Sequence, residues 1–135
     1  MVRIILEPSQ ARTPGAYAVA LYTSLPLTKE PIEATSNYHP GHIHPYWSEE
    51  GHTVMDRVHH LPGVLGQTYN THMLVVALSV AFDPVEIVSG IVRIIQDVSG
   101  ESVQVFYRMT SSHRPQPLAA GPQGIEAGLR AIGAP

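Results

Sequence analysis

Six of the eight histidines, His39, His42, His44, His52, His59 and His60, fall in one stretch that also holds Tyr38, Tyr46 and the single tryptophan, Trp47. Packing gives a globular domain no reason to concentrate imidazoles in this way, so candidate chemistry is sought here first. An imidazole both accepts and donates a proton near neutral pH, and a neighbouring carboxylate fixes its tautomer. His42 and His44 with Glu49 therefore read as a catalytic acid-base set, with Tyr107 from the last expected strand as a hydroxyl donor. Tyr38, Tyr46, Trp47 and Tyr69 read as aromatic walls for a small organic substrate. Such a constellation suits isomerisation, cyclisation or elimination better than hydrolysis through a serine, since no Gly-x-Ser-x-Gly elbow is present.

The same side chains could hold a metal. His42 and His44 share a face if the segment is extended, and His52 and Asp56 lie one turn apart if it is helical. These four form a tentative ligand set for a divalent ion (Zn, Fe, Mn or Ni). The His42-x-His44-x4-Glu49 spacing resembles the first metal motif of cupins, which binds a divalent ion through two histidines and a glutamate. That resemblance covers about eight residues, no second motif follows, and a helix at Asp83 does not suit a cupin barrel, so the family is not carried over. The bland alternatives are exposed helical histidines facing water and aromatic residues that pin a proline-rich loop to the core.

The elements that would position these groups follow from periodicity. Val2 to Glu7 is a β-branched and aliphatic run stopped by Pro8, and Ala16 to Thr23 alternates Tyr17, Val19 and Leu21 with small alanines; the two read as an antiparallel pair of strands. Pro26, Pro31, Pro40 and Pro45 exclude a helix between Ser24 and Pro45. Ser48 caps a helix over 48–61, with Glu49 and Glu50 in its first turn and Pro62-Gly63 as its stop. His52, Asp56 and His60 then form a polar stripe along it.

Thr71 to Phe82 is apolar on both sides and reads as the central strand, covered from two sides. Asp83-Pro84-Val85-Glu86 starts a second helix over 84–98, with Val85, Val88, Ile91, Val92, Ile95 and Val98 as its apolar stripe. Glu101 to Met109 alternates as a last strand beside the central one. These assignments give an α+β domain over 1–110 with a mixed sheet of about four strands in the order β-β-α-β-α-β. Residues 111–135 form a Pro/Gly-rich extension in which a short helix fits from 122 to 132.

At 135 residues with 44% hydrophobic and 14% charged residues, the chain has one domain's worth of core and little surface charge. Sparse charge suggests surface hidden in a homo-oligomer. A formal charge of −3 with a single lysine leaves no basic stripe for nucleic acid. The absence of cysteine excludes thiolate chemistry. No apolar run spans a bilayer or forms a signal peptide, so no membrane partner and a cytoplasmic location are expected. Function reads as a small oligomeric enzyme using histidine acid-base chemistry on a small-molecule substrate. The alternative is a non-catalytic subunit of an assembly with a His-rich interface loop, which would loosen on protonation.

Overall fold

The computed structural model describes residues 1–11, 13–41 and 46–134. Seven strands form one mixed sheet: β1 (Val2–Ser9), β2 (Ala16–Thr23), β3 (Ser36–Asn37), β4 (Val64–Asn70), β5 (Met73–Ser79), β6 (Val103–Tyr107) and β7 (Gln116–Pro117). Three helices accompany it, α1 (Glu49–His59), α2 (Pro84–Ser99) and α3 (Pro122–Ala131). The spatial order is β3-β4-β5-β2-β1-β6-β7, with β1 and β6 parallel and every other neighbouring pair antiparallel.

The α+β class, the single domain and the three helices agree with the sequence reading, but the sheet has seven strands where about four were expected. The largest omission is β4. A register irregularity between Val64 and Gly66 interrupts its alternation, so the segment after Pro62-Gly63 shows no strand period in the sequence. Thr71-His72 is then the two-residue turn of a hairpin, in which Asn70 Oδ1 accepts from the His72 amide at 3.1 Å. The middle of the sheet is β2, and β6 lies beside β1 instead of beside β5.

One face of the sheet builds the core. Ile4 and Leu6 of β1, Val19 and Leu21 of β2, and Leu74, Val76 and Leu78 of β5 are all buried there, sharing a cluster with Val54, Met55 and Val58 of α1 and Val88, Ile91 and Ile95 of α2. Ile125, Leu129 and Ile132 bring α3 onto the same core, so the C-terminal stripe docks on its own domain. The helices lie in the order α1-α2-α3 across this face. Alternation puts Arg3, Ile5 and Glu7, then Ala18, Ala20 and Tyr22, then Met73, Val75 and Ala77, and finally Gln104, Phe106 and Arg108 on the opposite face, which no described helix covers. The Thr71–Phe82 segment is thus backed by helices on one side only.

Capping follows local chemistry. Asp83 Oδ1 accepts from the Val85 amide at 2.9 Å with Pro84 in the first turn, and α2 ends at Gly100 in the left-handed region. Ser48 Oγ accepts from the Gly51 amide at 2.8 Å to start α1. No helix among the described residues is long and apolar enough to cross a membrane.

Candidate functional site

Around the histidine segment the structure builds a ladder of rings. Trp47 stacks on Tyr38 with centroids 5.4 Å apart and on His52 at 5.1 Å, and it tilts against Tyr69 at 5.6 Å. His59 adjoins Tyr38 at 5.6 Å, and His60 meets His59 edge-on. The backbone fixes the entry to this ladder: Trp47 bridges to Thr28, the Lys29 amide donates to Tyr46 O at 2.7 Å, and the Ser48 amide donates to Leu27 O at 3.3 Å. Tyr38 arrives from the other side, with its amide donating to Gln67 O at 2.9 Å.

Burial decides what these rings do. Tyr38, Trp47 and Tyr69 are 8%, 5% and 0% exposed, whereas Tyr46 is 49% exposed. Three of the four residues expected to wall a substrate are therefore largely buried, where they clamp the loop to α1 and β4, and of these Tyr38 also borders the hollow on the helix-free face. Desolvation raises the Tyr69 phenol above its ordinary value, with a hydrogen bond to Trp47 opposing the shift. Burial also raises Tyr38, with the charge of Asp56 adding to it. Both phenols stay protonated across the neutral range.

The expected polar stripe on α1 divides. His52, Asp56 and His60 are exposed, as is Glu49. His52 and His59, seven residues apart, join the rings, while the imidazole of His60 turns back to hydrogen-bond through Nδ1 with Asp56 O at 2.8 Å. Among the described residues no group of three His, Asp or Glu side chains is placed to hold a metal ion. His42 and His44, central to both the catalytic and the metal expectations, lie outside the described residues. Tyr107 of β6 pairs with Leu6 of β1 on the core face, four strand positions from β4, so the width of the sheet separates it from Tyr69 and the rings packed there.

The principal hollow near this segment opens on the helix-free face. It has a volume of about 730 Å³ and runs between the β1–β2 connection (Ser9, Gln10, Thr13) and the Thr35–His39 strand-loop. Its floor is made of small residues, Ala18, Gly66, Val75 and Ala77, with Thr68 beside them. Among the described lining residues there is no charged side chain, and His39 supplies the one imidazole. The alternation of alanines with Tyr17, Val19 and Leu21 is the sequence signal for this floor, because a strand side of small residues leaves room above it. Ser9, Gln10, Thr13 and Thr68 carry no such signal. At the far end of the same face, Arg108 Nε donates to Glu7 Oε2 at 2.7 Å and its guanidinium lies 4.9 Å over the Tyr22 ring.

The architecture is therefore a two-layer α+β sandwich with one hollowed sheet face that no described helix covers. Compared with known proteins, the chain matches no family model, no curated protein and no solved structure.

Proposed function

We propose that the chain binds a small, uncharged, polar organic molecule on its helix-free face and acts on it by proton transfer, with His39 as acid and base. The observation that carries this reading is the cleft beneath the Thr35–His39 segment. Its volume of about 730 Å³ lies within the range of small-molecule sites, and its described lining offers hydroxyl and amide groups without a fixed charge. An ionic ligand would find no counter-charge among those residues, whereas hydroxyls and carbonyls find donors and acceptors on Thr13, Thr35, Asn37 and Thr68. The small floor admits a flat or cyclic body. His39 would take a proton from one atom of the substrate and return it to another, an isomerisation that leaves the imidazole as it began.

The test is titration of isotope-labelled protein with hydroxyacetone and 2-cyclohexenone in deuterated water, read by NMR. Amide shifts confined to Gly66, Thr68, Val75 and Ala77, together with substrate deuteration lost in His39→Ala, are expected. Binding elsewhere, or deuteration untouched by His39→Ala, would overturn the reading.

A second reading rests on the same face. Ile5, Tyr22, Met73, Val75 and Ala77 leave partly exposed apolar surface without a helix over it, which a second copy of the chain could cover. Sedimentation mass decides between them: a dimer broken by Val75→Arg favours assembly, and a monomer of unchanged fold favours the ligand cleft.

A further inference from the structure

At the opposite end of the helix-free face, β1, β6 and β7 enclose a second hollow of about 460 Å³, lined by Arg3, Gln104, Phe106, Arg114, Pro115 and Gln116 together with Pro117. Its chemistry inverts that of the cleft: two guanidinium groups and two carboxamides surround apolar walls, and among the described residues no carboxylate lines it. Arg3 lies 4.8 Å over the Phe106 ring, a contact that uses its charge but none of its N–H donors. Among the described residues no ion pair engages Arg3 or Arg114. The nearby Arg108, by contrast, is satisfied by Glu7.

The backbone that carries Arg114 is fixed on both sides. The His113 amide donates to Thr110 O at 3.1 Å, and Gln116 Nε2 donates to Arg114 O at 3.4 Å. Phe106 pairs with Pro117, the Leu118 amide donates to Val105 O at 2.9 Å, and Pro115 and Pro117 restrict φ. Little ordering is left for a ligand to impose on this loop.

From this arrangement we propose that the hollow is a binding site for a flat organic carboxylate. The guanidinium forks of Arg3 and Arg114 would take the carboxylate oxygens, with Gln104 and Gln116 as further donors, and Phe106, Pro115 and Pro117 would take the apolar body. Inorganic phosphate would meet the same guanidinium donors but has no apolar body for Phe106, Pro115 and Pro117 to hold. This site uses none of the residues of the His39 cleft and stands or falls separately from it.

Benzoate is the probe, titrated into the isotope-labelled full chain beside benzyl alcohol and inorganic phosphate. Benzoate should shift the Phe106, Gln104 and Gln116 resonances in a saturable way, while benzyl alcohol leaves them in place. Arg114→Gln and Arg3→Gln should each weaken benzoate at least about tenfold, the loss expected when a charge-assisted hydrogen bond to the carboxylate is removed. Arg114 is exposed and lies outside every described strand and helix, so its variant keeps the fold even if Arg3→Gln disturbs β1, and an unchanged urea midpoint verifies this. Benzyl alcohol binding as well as benzoate, phosphate producing the same shifts at equal strength, or benzoate affinity indifferent to Arg114→Gln would each overturn the proposal.

Discussion

The entry to α1 offers the sharpest test of the architecture, through Gly51→Ala. Gly51 is buried in the first turn of the helix, and a Cβ placed there would press on the Leu27 carbonyl, 2.5 Å from its carbon and 2.7 Å from Leu27 Cα. Carbon atoms pack best at about 3.5–4.0 Å, so the helix or the Leu27 backbone must retreat by roughly 1 Å. A flexible side chain could yield at little cost, but Leu27 O also accepts from the Ser48 amide, and Ser48 Oγ caps the helix. Overpacking against backbone costs about 3 kcal/mol at the upper end of its usual range. Loss of the cap adds about 1 kcal/mol, and the better helix propensity of alanine returns about 1 kcal/mol. The net destabilisation is about 3 kcal/mol, which lowers Tm by about 10 °C for a chain of this length. Thermal and urea unfolding followed by Trp47 fluorescence provide the assay, because the single tryptophan stacks on His52 at the first turn of α1. Gly66→Ala is the control: nothing lies within 4 Å of its added Cβ, and it should leave stability unchanged or raise it by up to about 1 kcal/mol. A Tm for Gly51→Ala equal to or above that of the parent, as propensity alone would give, refutes the packing argument.

Three further outcomes are expected. Burial raises the phenols of Tyr17, Tyr22, Tyr38 and Tyr69 above their ordinary 10.0, so the folded chain holds these protons longer than the unfolded chain. Stability is therefore intact below pH 10 and is lost as pH rises from there through the folded values; the urea midpoint should fall in that window, and Tyr69→Phe should flatten the fall. Glu7→Gln leaves Arg108 uncompensated where the two side chains are only 11% and 14% exposed, and should cost about 3 kcal/mol, largely recovered in Glu7→Gln/Arg108→Met. A urea midpoint unchanged by Glu7→Gln would show that solvent already screens the pair. Gly124→Ala sets a Cβ 2.7 Å from the Ala119 carbonyl carbon; it should loosen α3 and speed amide exchange at Ile125 and Leu129, with α1 unaffected.

Legibility in the sequence tracked how local the determining interactions are. Asp83, Pro84 and the Val88-Ile91-Ile95 stripe announce α2 because cap, first turn and apolar face all lie within one segment. The same holds for Ser48 and α1, and for Ile125, Leu129 and Ile132 in α3. By contrast β4 is hidden, since Gly66 and the irregularity beside it disrupt the period-two pattern, and two-residue strands such as β3 and β7 have no period to read. The position of β6 depends on pairing with β1 across the length of the chain, which no local window contains. The histidine segment stood out as unusual, but the role of its rings was set from outside it: Tyr69 and Tyr38 meet Trp47 because β3 pairs with β4. The cleft residues are the least legible, because alanines, glycine and threonines acquire meaning only when the sheet brings them together.

The parallel pairing of β1 with β6 also governs the order in which the molecule can be completed. β1 with β2 and β4 with β5 are local antiparallel pairs, and the longer-range pairing of β2 with β5 joins them, so an antiparallel half-sheet with α1 and α2 can form while later residues are still absent. Until Val103–Tyr107 arrive, β1 presents a bare edge rich in Val, Ile and Leu. A chain arrested or cleaved before that strand keeps this edge open to another chain, and β6 with α3 thus acts as the built-in guard against strand-to-strand aggregation.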